Sequence, residues 1–263
     1  MEFNYIIFNI TDKVARISLN RPDVLNSFNR EMASEFLYAL RECEENKDIR
    51  VVVISGEGKG FCAGQDLKEV LPKSQGEKRD LGEIVRTQYN PIIKKIREMH
   101  KPLIALVKGV AAGAGANLAL MCDFVIADEK ASFIQSFSKI GLIPDSGGTF
   151  ILPRLIGMAR ATELMFLGNK LNAQKAFDWG LIYKVCSSDD LENELNNLVN
   201  SLAEMPTYGL GLTKSLLNQS FSNDLWTQLE SEELSQKAAG YSYDYNEGVS
   251  AFIEKRQPNF KGE

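Results

Sequence analysis

The sequence predicts an α/β fold with an all-helical C-terminal region. Two observations carry this. Up to about residue 185, short runs rich in Val, Ile and Leu alternate with segments of helical period; from residue 189 onward only the helical period remains. The 263 residues can bury one large core with a small appendage, and no long repeat or low-complexity tract interrupts them. We divide the chain into a core over 1–200 and a helical subdomain over 201–263.

Residues 3–19 read as a hairpin, in which 5–10 and the alternating 14–19 flank the polar turn Thr11-Asp12-Lys13. Asn20-Arg21-Pro22-Asp23 stops the second strand. A helix then starts near Asn29, Arg30 and Glu31, with Met32, Phe36, Leu37 and Leu40 as its apolar stripe. Residues 50–56 form a buried strand closed by glycines. A small-residue turn and a short helix follow over 58–69. Residues 72–82 are polar and read as a mobile surface loop. One long amphipathic helix is predicted over 83–99, and Pro102 opens the next strand, 103–107. Then come a strand at 122–127, a mixed stretch over 133–143, a turn at 144–149 feeding a helix, short helices near 159–167 and 172–178, and a strand at 181–185. Helices at 189–204, 207–221, 223–240 and 244–256 close the chain, and Asp244 and Glu247 have capping-box spacing.

A net charge of -5 argues against a nucleic-acid surface. No apolar run approaches the roughly 20 residues that span a bilayer. The first residues lack the basic and apolar regions of a signal peptide. Cys43, Cys62, Cys122 and Cys186 are dispersed with no CxxC pair, which suits reduced core thiols and a cytoplasmic protein. His100 is the only histidine, so a multi-histidine metal site is excluded; it reads as a helix-end residue.

Two stretches share one design. The strand 103–107 runs into Gly113-Ala114-Gly115-Ala116-Asn117 and an Ala/Leu helix; the strand 50–56 runs into Phe61-Cys62-Ala63-Gly64-Gln65-Asp66-Leu67. A strand breaking into a helix through Gly and Ala leaves main-chain N–H groups exposed, where they attract negative charge. The same composition also serves close packing of helix on strand, and the stretch alone does not choose. It is no dinucleotide fingerprint: Gly109, Gly113 and Gly115 miss the G-x-G-x-x-G spacing.

These motifs, with Met121-Cys122-Asp123 and Gly141-Leu142-Ile143-Pro144-Asp145-Ser146-Gly147-Gly148-Thr149, fall in the order of the crotonase superfamily, the enoyl-CoA hydratases and isomerases. The chain resembles that family over nearly its whole length. The resemblance implies a ClpP-like spiral of ββα units with two nearly perpendicular sheets. It implies a helical C-terminal subdomain used for trimerisation and for covering the acyl pocket, and assembly as a homotrimer or dimer of trimers. The implied substrate is an acyl-CoA thioester. Coenzyme A is then part of the substrate, with no metal, no other cofactor, no nucleic acid and no membrane partner. Within the family the chain is most similar to isomerases of phenylacetate breakdown. These convert 1,2-epoxyphenylacetyl-CoA to the oxepin thioester and also shift 3-enoyl-CoA to 2-enoyl-CoA, a step shared with fatty acid metabolism.

The family's chemistry passes through a thioester enolate whose oxygen is held by two backbone N–H groups. The matching positions here are Gln65 and Ala114. Hydratases place two glutamates where this chain has Asn117 and Phe137, neither of which exchanges a proton near neutral pH. One carboxylate remains, Asp145, and it can serve a 1,3-proton shift alone. By spacing alone Asp145 reads as an N-cap before a helix; the resemblance makes it the acid/base. The resemblance also implies that coenzyme A is bound by Val24, Leu25 and Asn26 and by the backbone of Ala63, Gly64, Asp66 and Leu67. The Asp66 side chain itself reads as structural. Gly113, Pro144, Asn117 and Phe137 are implied at the acyl pocket, with Phe252 on the covering helix. Lys255 either meets a coenzyme A phosphate or compensates its helix dipole. Rival readings are a hydratase drawing on Glu69 or Glu83, a noncatalytic RNA- or CoA-binding homologue, and an enzyme using Asp145 as a nucleophile.

Overall fold

The computed structural model describes residues 3–71 and 79–263. Its organising feature is a chain that lays one strand in a large sheet and the next in a small one. β1 (Ile6–Thr11) and β2 (Val14–Leu19) form the expected hairpin. It turns at Asp12 and Lys13, both at positive φ, which matches the twist of the two strands. β3 (Val51–Gly56), β5 (Leu103–Val107), β7 (Phe124–Asp128) and β10 (Lys184–Cys186) extend this into a six-stranded sheet, ordered β1-β2-β3-β5-β7-β10. β4 (Gly60–Cys62), β6 (Val110–Ala112), β8 (Ser132–Ile134) and β9 (Lys170–Asn172) make the second sheet, ordered β4-β6-β8-β9. From β2 to β10 every pairing in the large sheet is parallel. Its central strands β3, β5 and β7 are largely buried apolar rows, as a parallel sheet covered on both faces requires.

The helices are α1 (Arg30–Glu45), α2 (Leu67–Val70), α3 (Leu81–Ile84), α4 (Asn90–Glu98), α5 (Ala114–Leu120), α6 (Gly148–Ile156), α7 (Met158–Leu167), α8 (Ala173–Asp178), α9 (Leu191–Ala203), α10 (Thr207–Gln219), α11 (Leu225–Gly240) and α12 (Tyr243–Glu254). The main core joins Ile17, Leu19 and Ile54 of the large sheet to Phe36 of α1 and Ile92 and Ile96 of α4. A second core, with Val51, Val53, Ile104 and Ile126, packs against Leu191, Leu195 and Val199 of α9. A buried lysine ties α10 to the body: Lys214 donates to the Ile96 carbonyl and to Asp123, both at 2.8 Å. No helix among the described residues is long and apolar enough to cross a membrane.

Several local expectations are corrected. The helix predicted over 83–99 runs from 81 to 98 without leaving helical conformation, but it widens into a π-turn, Val85–Tyr89, between α3 and α4. Pro91 lacks an N–H and its ring crowds the preceding turn, so the regular ladder cannot run through it. The residues of β4 and β6 read as turns in the sequence because Gly and Ala favour strands weakly; pairing with each other and, for β6, with β8 holds them extended. β9 was missed, and the strand expected at 181–185 lies at Lys184–Cys186. The capping box at Asp244 is wrong: Ser242 caps α12. The Asp244 carboxylate instead accepts from the Lys261 and Gly262 N–H groups, and Glu247 pairs with Arg256. Of the loop expected at 72–82, residues 72–78 lie outside the described residues; α3 already covers Leu81 and Gly82.

Candidate active site

The two small-residue turns meet. A β-carbon placed on Gly64 would stand 3.4 Å from the Ala114 nitrogen, so the turn after β4 touches the start of α5. The flanking backbone is pinned: Phe28 N–H donates to Gly64 O and Asp66 N–H to Phe28 O, while Gly113 N–H donates to Ile134 O. The N–H groups between these anchors, of Gln65 and Ala114, have no hydrogen-bond partner among the described residues. Both residues line one cavity of about 420 Å³. The stretch also serves packing, at Gly115, where a β-carbon would sit 2.5 Å from the Cys62 carbonyl oxygen. The packing reading of that stretch thus holds at Gly115.

Asp145 lines the same cavity and is the only carboxylate that does so among the described residues. Its side chain caps nothing. α6 is capped by Gly147, and the Asp145 carboxylate accepts from the Ser146 hydroxyl at 2.9 Å and from its own backbone N–H. Burial pushes the Asp145 carboxyl above its ordinary range, against the Ser146 bond that pulls it down. A half-buried acid spared from capping can trade protons.

Asn117 has a different job from lining the pocket. It is fully buried, and both ends of its amide are used. Its Nδ2 donates to the Asp145 carbonyl at 2.8 Å, and its Oδ1 accepts from Gln135 Nε2 at 2.8 Å. Ser146, next to Asp145, is held at φ 50°, a costly conformation for a residue with a side chain. Asn117 therefore clamps a strained turn that carries the acid. Sequence reasoning missed Gln135, a buried polar residue with no motif around it.

The other predicted residues fall in three places. Ala63, Gly64, Leu67, Gly113 and Phe137 line the cavity. Val24, Leu25, Asn26, Asp66 and Pro144 do not line it. Asn26 is a buried strut that accepts from Arg21 N–H and donates to the Glu57 and Gly60 carbonyls. Asp66 caps α2 and pairs with Arg21 at 2.9 Å, so its side chain is structural. Phe252 and Lys255 belong to the exposed face and end of α12, and in a single chain they do not reach the cavity. Glu69 and Glu83 do not line it either. His100 is exposed beside α10.

One further group was not foreseen. Tyr89, 2% exposed on the π-turn, lines the cavity and donates from its hydroxyl to Gln65 Oε1 at 2.9 Å. Burial raises its phenol well above the usual value, so it stays protonated. No group of His, Cys, Asp and Glu side chains suited to hold a metal ion occurs among the described residues.

Residues 9–263 match the family model described as enoyl-CoA hydratase/isomerase. The chain belongs to the enoyl-CoA hydratase/isomerase family. It is 47% identical over 262 residues to a 1,2-epoxyphenylacetyl-CoA isomerase of Escherichia coli, covering 100% of this chain and 99% of that one. It is 37% identical to a trans-2-decenoyl-acyl-carrier-protein isomerase of Streptococcus mutans, with full coverage of both. An enoyl-CoA hydratase structure from Bacillus anthracis superposes with a TM-score of 0.90 at 35% identity, covering 99% of this chain and 100% of that one. The fold is thus the crotonase fold, and this family member is an acyl-CoA isomerase or hydratase.

Proposed function

We propose that this enzyme is an acyl-CoA isomerase that works through a thioester enolate, with Asp145 as its single acid/base. The observation that carries the reading is that, among the described residues, Asp145 is the one carboxylate in the cavity. The two positions that hydratases fill with acids hold Asn117, spent on a structural clamp, and Phe137. Water addition needs a base for the water and a proton for C2; a 1,3-proton shift needs only one group.

In this reading the thioester oxygen sits between the Gln65 and Ala114 N–H groups. Asp145 removes a proton from C2, and the electron pair moves onto the carbonyl oxygen, where the two donors hold it. For a 3-enoyl thioester, the double bond then moves from C3–C4 to C2–C3 as Asp145 returns the proton to C4. For a ring-epoxide phenylacetyl thioester, the same α-proton removal starts the ring expansion. The 47% identity to the epoxyphenylacetyl-CoA isomerase supports a ring-epoxide substrate, and the apolar walls, with Phe137 and Ile84, suit an aromatic-sized acyl group. Coenzyme A is handled as part of the substrate, along 63–67, with no separate cofactor or metal.

The same reading has 1–200 as the catalytic core and 201–263 as a helical subdomain for assembly into trimers or pairs of trimers. Trp226, Phe252 and Ile253 stand outward on that subdomain at 73%, 84% and 72% exposure, as an assembly face requires. The deciding experiment offers ring-epoxide phenylacetyl-CoA, 3-enoyl-CoA and crotonyl-CoA to the wild type side by side. Isomerisation of either of the first two with slow crotonyl-CoA hydration is expected. Fast hydration with no isomerisation overturns the reading.

A further inference from the structure

We infer that the side-chain amide of Gln65, oriented by the Tyr89 hydroxyl, is a specificity device that selects acyl groups carrying an oxygen acceptor, such as a ring epoxide or ring hydroxyl. This rests on the reading of the cavity as the acyl site. An oxyanion hole built from backbone N–H groups makes no demand on the side chain at 65. Yet a glutamine stands there, and a tyrosine that is 2% exposed is spent on it.

The arrangement is fixed at both ends. Tyr89 donates to Gln65 Oε1 at 2.9 Å, while Gln65 Nε2 makes a long 3.3 Å bond to the Asp66 carbonyl. Reversing the amide would set its oxygen against the Asp66 carbonyl, so the nitrogen is held on that side. Nε2 carries two protons, and the second has no acceptor among the described residues. Much of the surrounding wall is apolar: Leu81, Ile84 and Val85 before the tyrosine, and Phe137 and Leu142 opposite the amide's own loop. In such a wall an open donor is costly unless a ligand atom fills it.

The π-turn supplies the geometry. It places Gln88 and Tyr89, adjacent residues, both inside, and such turns recur at functional sites. One residue thus offers two donors: its backbone N–H to the thioester oxygen and its side chain to an oxygen further along the acyl group. A site built to hydrogen-bond a substrate oxygen rejects the analogue that lacks it.

The test is binding, measured by calorimetry with 2-hydroxyphenylacetyl-CoA and phenylacetyl-CoA, neither of which can undergo the double-bond shift. Wild type should bind the hydroxylated thioester about tenfold more tightly. In Gln65→Leu and Tyr89→Phe that preference should fall to within twofold, with circular dichroism showing that the variants are folded. Equal binding of the two ligands by wild type overturns the inference. So does a preference that survives Gln65→Leu, or equal weakening of both ligands in Tyr89→Phe. Asp145→Asn should keep the preference. If it does while wild type isomerises nothing, the isomerase reading fails and the specificity device stands.

Discussion

Replacing Asn117 by leucine tests the clamp on the catalytic turn. The shapes are close, but both amide bonds are lost. The Asp145 carbonyl keeps a second donor, Gly148 N–H at 2.9 Å, so its share is an ordinary bond. Gln135 fares worse. Its side chain is 3% exposed and its Oε1 already has no partner, so losing Asn117 strands the other end of the amide as well. About 1 kcal/mol for the first bond and about 1–3 kcal/mol for the stranded donor give a loss of about 2–4 kcal/mol. Equilibrium urea unfolding measures it. Activity should fall further than stability explains, because Ser146 at φ 50° is free to relax and move the carboxylate. Displacing a reacting group by about 1 Å can cost about 100-fold, read as kcat on 3-enoyl-CoA with KM little changed. A variant within about 0.5 kcal/mol and twofold of wild type would refute the clamp.

Three further outcomes follow from the same geometry. Ala114→Pro removes one proposed oxyanion donor at a first helical position, where proline is tolerated; kcat should drop about 100- to 1000-fold in a folded protein, checked by circular dichroism and steady-state kinetics. Asp145→Asn should stabilise the protein at neutral pH, because burial raises the native carboxyl above its unfolded value. Wild type loses stability as pH rises from the unfolded value, about 3.9, through the native one, so the variant's advantage should vanish below that window in thermal melts taken across pH. By the same shift, the acidic limb of wild-type isomerisation should lie above the ordinary carboxylate range. Lys214→Met should cost about 3–5 kcal/mol in urea, since it leaves the partly buried Asp123 with Arg97, 3.6 Å away, as its one cation and the Leu103 N–H as its other donor.

What the sequence made legible followed burial. Strands buried on both faces, such as Leu103–Val107, are unbroken apolar runs, and α9 shows through the helical period of Leu191, Leu195, Val199 and Leu202. β4 and β6 were hidden because their residues are chosen for closeness, not strand propensity, and only tertiary pairing extends them. The same closeness made the site visible: Gly64 and Gly115 stand out in any reading of the sequence, and they fix where two turns touch. Gln135 and Tyr89 left no such trace. Each matters through one side-chain bond across the fold, to Asn117 and to Gln65, and no local pattern encodes that. The role of Asn117 was half legible: its lack of a proton to trade is written in its identity, its grip on the Asp145 carbonyl only in space.

The central claim is that Asp145 moves the proton. The direct measurement is kcat of Asp145→Asn on 3-enoyl-CoA beside wild type, with binding of an unreactive acyl-CoA as the control for an intact site. The amide keeps the shape and no cap is lost, since the carboxylate caps nothing. The account predicts unchanged binding and a fall of about 100- to 10,000-fold in kcat. An Asn variant that isomerises within threefold of wild type would contradict it.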